Sequence, residues 1–118
     1  MLLAIDIGNT NTSLGIFDGE NLIEHWRIAT VRERTADELG VLIRQMLALS
    51  NLNYQKISAI IVSSVASAQL NFTFQKMSEK YLGQSATVVD STFDFGLQIK
   101  YNPPSSLGID RIVAAVGA

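Results

Sequence analysis

The sequence predicts an α/β fold with a mixed sheet, in which a three-stranded antiparallel meander precedes alternating helices and strands. Two tight-turn signals, Gly8-Asn9 and Asp18-Gly19, separate the first three apolar segments, and such turns join antiparallel strands. Helical and strand-like segments alternate after the meander, a pattern typical of helices packed on a sheet. The 118 residues, 47% hydrophobic and 17% charged, fit one domain with a buried core.

Five strands are predicted from apolar or alternating runs, at residues 2–7, 12–17, 21–28, 57–63 and 86–89. The first three form the meander. The fourth contains Ile60-Ile61-Val62, a β-branched run that suits a strand covered on both faces.

Three helices are predicted. The first begins at the capping box Thr35-Ala36-Asp37-Glu38 and ends near Ser50-Asn51. Its apolar stripe contains Leu39, Leu42, Ile43, Met46, Leu47 and Leu49. The second covers residues 68–82, with inward-facing Leu70, Phe74, Met77 and Tyr81. The third begins at Gly108, and its apolar stripe stops without a clear cap, so we expect a fragment of a longer protein.

The composition excludes several classes of function. A net charge of -2 gives no broad attraction for nucleic acid or an anionic membrane. With no cysteine and one histidine, any metal would need oxygen ligands, which points to magnesium. No apolar run approaches the ~20 residues of a membrane span. We therefore expect a cytoplasmic protein with no nucleic-acid or membrane partner.

The turn after the first strand has the residues of a phosphate site. Gly8 permits close backbone approach, the turn amides and the Thr10 and Thr12 hydroxyls can donate to phosphoryl oxygens, and Asp6 can hold magnesium directly or through water. The alternative is that Gly8-Asn9 only closes a hairpin and that Asp6 faces solvent. The local composition leaves both interpretations open.

An acid and a Gly-Thr hairpin after the first strand of a meander resemble the actin-like and sugar-kinase superfamily, with its ribonuclease H-like fold. The longer string resembles the signature of one branch, the type III pantothenate kinases, and reads Asp6-Ile7-Gly8-Asn9-Thr10-Asn11. Tyr101, Pro104, Gly108 and Asp110-Arg111 resemble a second block of that family in order and spacing. The resemblance covers essentially the whole chain and includes Ser63-Ser64-Val65.

The resemblance implies that residues 1–118 are the N-terminal domain of an enzyme that phosphorylates pantothenate with ATP, the first step of coenzyme A synthesis. It implies that ATP is bound by Asp6, Ile7, Gly8, Asn9, Thr10, Asn11, Thr12 and Ser13, with Asp6 at the magnesium. It implies that pantothenate is bound by Tyr101, Gly108, Ile109, Asp110 and Arg111, with Asp110 as general base. It also implies a homodimer and a monovalent cation, potassium or ammonium, whose ligand lies beyond this chain.

A carboxylate at a helix N-terminus stays ionised and can receive the proton that the acceptor hydroxyl loses late in phosphoryl transfer. Each acceptor residue also has a structural alternative: Asp110 as a first-turn acid, Arg111 as a surface ion pair, and Tyr101 as a cap on the core. Ile109 stands where the family has a small residue, which bears on acceptor affinity. A non-catalytic regulatory or nucleotide-binding module of the same fold is the other hypothesis. The isolated 118 residues, with half a cleft, are expected to be inactive.

Overall fold

The computed structural model describes residues 1–64 and 68–90, which form a five-stranded mixed sheet and two α-helices. The elements are β1 Leu2–Ile7, β2 Asn11–Asp18, β3 Asn21–Ala29, α1 Ala36–Leu49, β4 Ala59–Ser64, α2 Ala68–Tyr81 and β5 Thr87–Asp90. A short 3-10 helix, Tyr54–Lys56, follows α1 and was not predicted from the sequence. None of the helices in this part of the chain is long and apolar enough to cross a membrane.

The strand order is β3-β2-β1-β4-β5. The first three strands pair antiparallel, whereas β1, β4 and β5 run parallel. The α/β class, the meander and the mixed sheet predicted from the sequence are therefore confirmed. The predicted helix from Gly108 lies outside the described residues.

The main core lies between the sheet and the two helices. Alternate residues of β1 point into it, since Leu3, Ile5 and Ile7 are all fully buried with residues of both helices. A second apolar cluster, centred on Ala4 and Ile61, lies on the opposite face of the sheet. The prediction that the fourth strand is buried on both faces is thus confirmed.

The α1 helix starts as its capping box predicts. The Glu38 amide donates to Thr35 Oγ1 at 3.1 Å, and the Thr35 amide donates to Glu38 Oε1 at 2.9 Å. The helix ends just before Asn51, whose φ is 59°, a conformation common after a helix. The prediction that Leu49 faces the core is wrong, because it is 85% exposed and lies roughly 120° around the helix from Ile43.

The two helices meet at Gly40 and Tyr81. A β-carbon at position 40 would lie 2.2 Å from Tyr81 Cδ2, so only glycine lets the ring approach this closely. At the ring's far end the hydroxyl donates to Asp37 Oδ1 at 2.6 Å, and Lys80 Nζ donates to the same oxygen at 2.8 Å. These two hydrogen bonds lower the pKa of the Asp37 carboxyl, and the bond from Lys80 has the larger effect. The bond to Asp37 raises the pKa values of Lys80 and Tyr81.

Candidate active site

The candidate site lies at the edge of the sheet where the three parallel strands end. In the register of β1 with β4, Asp6 pairs with Ser63 and Ile7 with Ser64. Because β5 runs parallel to β4, its last residue, Asp90, reaches the same edge. Open α/β sheets bind their ligands beyond the carboxyl ends of parallel strands. The loop of residues 8–10 leaves β1 at this edge, which gives the hairpin tip a position suited to ligand contact.

The hairpin tip is tight because of Gly8. Its amide donates to the Asn11 carbonyl at 2.9 Å, and an added β-carbon would also lie only 2.9 Å from that oxygen. Any larger residue would therefore push the two sides of the hairpin apart. Beyond this bond, Asn9, Thr10 and Asn11 are exposed. The tip thus presents polar backbone and side chains to solvent.

The hydroxyl groups of Thr12 and Thr30 form a hydrogen-bonded chain that supports the hairpin tip. Thr30, which follows β3, donates its hydroxyl to the Gly8 carbonyl at 2.9 Å, and its amide donates to the Thr10 carbonyl at 2.8 Å. The Thr12 and Thr30 hydroxyl oxygens are 2.8 Å apart. Each hydroxyl has one proton, so Thr12 donates to Thr30. Sequence reasoning missed Thr30, whose role depends on how β2 pairs with β3.

Two residues of the predicted ATP set point away from the tip. Thr12 is 1% exposed and Ile7 is fully buried, because both lie on the helix-facing side of their strands and pair with each other. In this structure the Thr12 hydroxyl is engaged with Thr30, and its contact with a phosphoryl group stays a prediction. Ile7 can contact a ligand only through its backbone.

Asp6 lies on the opposite side of the sheet from Thr12, in a row with two serines. It pairs directly with Ser13 on β2 and with Ser63 on β4. Asp6 and Ser13 are half-buried, while Ser63 is 7% exposed. Sequence reasoning did not assign Ser63 to the site. The signal was a polar pair, Ser63-Ser64, at the end of an otherwise apolar strand.

The predicted pantothenate residues, from Tyr101 to Arg111, lie outside the described residues. Their meeting with the hairpin in one cleft therefore stays a prediction. Within residues 1–64 and 68–90, no group of three or more histidine, cysteine, aspartate or glutamate side chains could hold a metal. The predicted role of Asp6 as a metal ligand also stays a prediction.

Comparison with solved structures supports the fold. The chain is similar to a hexokinase of the ROK class from Thermus thermophilus, with a TM-score of 0.58 and 16% identity over 75% of this chain and 34% of the other. At this identity the similarity concerns the fold alone, and it agrees with the actin-like sugar-kinase architecture predicted from the sequence.

Comparison with known sequences is more specific. The chain is 44% identical over 118 residues to the type III pantothenate kinase of Myxococcus xanthus, and 42% identical to that of Brevibacillus brevis. Each alignment covers 100% of this chain and 46% of the relative, so the chain spans about half the length of these relatives. The family model of type III pantothenate kinase matches residues 2–118. With a match across almost every residue, the chain belongs to the type III pantothenate kinase family.

Proposed function

We propose that these residues form the N-terminal, ATP-binding half of an enzyme that transfers the γ-phosphoryl group of ATP to a hydroxyl of pantothenate. The observation that carries the proposal is the glycine-closed hairpin next to Asp6, at the edge where three parallel strands end. The family match over residues 2–118 supplies the substrate class.

The hairpin geometry supports the nucleotide end of the proposed site. The exposed residues 9–11, in and next to the hairpin tip, offer amide and side-chain donors to the phosphates. Ser13 faces the same side of the sheet as Asp6 and adds a hydroxyl donor. Ile7 and Thr12 are buried beneath the hairpin tip. Ile7 offers its backbone to ATP, and Thr12 supports the tip through its hydrogen bond to Thr30. The bond from Gly8 to Asn11 keeps the tip in one shape, which reduces the entropy lost when ATP binds.

A magnesium ion fits this arrangement. Magnesium is commonly held by one or two carboxylates together with substrate phosphates and water, and Asp6 is a carboxylate at the strand end nearest the tip. When bound, the ion would neutralise charge that develops on the phosphoryl group. The chain's own contribution is to place the carboxylate and the donors on the same edge of the sheet.

The acceptor end is assigned from the family motif. We assign Asp110 as the general base, and Tyr101, Gly108, Ile109 and Arg111 as the pantothenate contacts. A positioned base contributes about 10²–10⁴-fold to a rate. The proposal also includes a homodimer, a monovalent cation bound by residues outside this chain, and a cytoplasmic location.

The test is release of ADP from ATP by the full-length protein, with and without pantothenate. We expect turnover that requires both substrates and magnesium. Asp110→Asn should lower kcat by about 10²–10⁴-fold without weakening ATP binding, and Asp6→Asn should weaken magnesium-dependent binding of ATP. Asp18→Asn is the matched control, because Asp18 is exposed at the far end of the hairpin, and its turnover should equal that of wild type.

Two results would overturn the assignment. Wild-type turnover by Asp110→Asn would remove Asp110 as the base. Binding of ATP with no affinity for pantothenate, measured by calorimetry, would favour a non-catalytic regulatory module of the same fold. The low net charge argues against direct DNA binding by such a module.

A further inference from the structure

Ser63 is the residue of β4 that lies opposite Asp6, and the hairpin motif does not include it. The register pairs the two residues directly. Ala4 and Ile61, two residues before Asp6 and Ser63, lie together in the apolar cluster on the face away from the helices. Because side chains alternate along a strand, Asp6 and Ser63 share that face.

The spacing allows contact between the two side chains. Neighbouring strands are roughly 4.8 Å apart, and hydroxyl-to-carboxylate hydrogen bonds measure about 2.5–2.7 Å. A serine Oγ and an aspartate carboxylate on paired residues can close that difference by a change of rotamer. Ser63 is 7% exposed, so its hydroxyl has little access to water and favours a protein partner.

Ser13 and Ser63 occupy opposite sides of Asp6 but differ in burial. Ser13 is half-buried on the hairpin itself, and its proposed role is to donate a hydrogen bond to the phosphates of ATP. Ser63 lies on β4, inside the sheet between β1 and β5. It is therefore placed to act on the Asp6 carboxylate.

We propose that Ser63 is a positioning residue for Asp6, an inference that rests on the proposed function. In the complex with magnesium and ATP, its hydroxyl donates a hydrogen bond to one oxygen of the Asp6 carboxylate. The Asp6 carboxylate held in this orientation would be the group that binds the magnesium ion. Groups that orient a metal ligand in this way typically change metal affinity or activity by about 10–100-fold when they are removed.

The test is a double-mutant cycle in the full-length protein. A non-hydrolysable ATP analogue is titrated by calorimetry at a series of magnesium concentrations, for wild type, Ser63→Ala, Asp6→Asn and the double variant. We expect Ser63→Ala to raise the magnesium concentration for half-maximal binding by about 10-fold. In the Asp6→Asn background the same change should have almost no effect, because the group on which Ser63 acts has lost its charge.

Two further variants separate positioning from packing. Ser63→Thr keeps the hydroxyl and suits a strand, so it should restore most of the magnesium affinity. Ser78→Ala removes a fully buried hydroxyl that donates to the Phe74 carbonyl within α2, and it should leave the magnesium dependence unchanged. Unfolding midpoints of all variants show whether each one is folded.

The outcomes distinguish this inference from the proposed function. If wild type binds the analogue in a magnesium-dependent manner but Ser63→Ala does so equally well, the role of Ser63 is refuted and the kinase assignment stands. An equal effect of Ser63→Ala in both backgrounds would also refute it, because the serine would not act through Asp6. If wild type binds no analogue, the proposed function and this inference both fail.

Discussion

Replacement of Gly40 by alanine should destabilise the domain, although alanine is the better helix former. The added β-carbon would lie 2.2, 2.3 and 2.8 Å from three ring atoms of Tyr81. Two of these atoms are near the base of the side chain, so the ring cannot swing clear without moving α2. Overpacking of this kind costs about 1–3 kcal/mol, and three close contacts suggest the upper end.

The gain in helix propensity opposes this cost. Alanine is favoured over glycine inside a helix by about 1 kcal/mol, which leaves a net destabilisation of about 2 kcal/mol if overpacking costs about 3 kcal/mol. This chain of 118 residues lies between the size classes in which 1 kcal/mol shifts Tm by about 4–8 °C and by about 2–4 °C, so the expected loss is roughly 8 °C. In a Tyr81→Ala background the clash is absent, so the same Gly40→Ala change should be stabilising by about 1 kcal/mol.

Urea denaturation followed by circular dichroism measures the effect of Gly40→Ala on the free energy of unfolding, both in the wild-type background and in the Tyr81→Ala background. The matched control is Gln45, which is exposed on the same helix, since the difference between Gln45→Gly and Gln45→Ala gives the propensity alone. If Gly40→Ala were neutral or stabilising in the wild-type background, the close approach of the helices would not depend on glycine. The same conclusion would follow if its effect were equal with and without the Tyr81 ring.

Two further predictions concern the hydroxyl chain and the surface ion pair. Thr30→Val should cost about 1–3 kcal/mol and weaken ATP binding, because it leaves the Thr12 hydroxyl and the Gly8 carbonyl without partners. Thr30→Ser should retain most of the stability, measured by urea denaturation, and most of the ATP affinity, measured by calorimetry. Equal losses for Thr30→Val and Thr30→Ser would show that packing, and not the hydroxyl, is responsible. Because hydrogen bonds lower the pKa of Asp37, the stability they contribute is present above its ordinary value of 3.8 and is lost as pH falls through the lowered pKa. The difference in unfolding midpoint between wild type and Asp37→Asn should therefore disappear in acid, and a constant difference from neutral pH to pH 2 would contradict this.

The local signals in the sequence predicted the elements well. The capping box at Thr35 and the turn glycine at position 19 act within a few residues of themselves, and the structure confirms both. The Ile60-Ile61-Val62 run is buried, as expected for a strand covered on both faces. Short-range hydrogen bonding and side-chain periodicity decide these features, so a sequence alone carries them.

The contacts that shape the candidate site were harder to predict. Thr30 supports Gly8 only because β2 and β3 pair in one register. Gly40 is required by a ring that is 41 positions away in the chain. The orientation of Thr12 depends on which face of β2 meets the helices, and one step along a strand reverses that face. Each outcome depends on strand register or helix packing, which local sequence patterns do not determine.

The strand order bears on whether the two predicted halves of the cleft can meet. Ile7, which follows Asp6, ends β1 at the same edge at which Asp90 ends β5. Because β4 lies between these two strands, β1 and β5 are roughly 10 Å apart. The segment from Asp90 to Tyr101 can span roughly 35 Å when extended. It is long enough to bring the acceptor block over the hairpin tip without any change in the sheet. The one-cleft hypothesis therefore requires only that the chain turn back toward β1 after β5, whereas a course away from β1 would separate Asp110 from the phosphates and remove its assigned role.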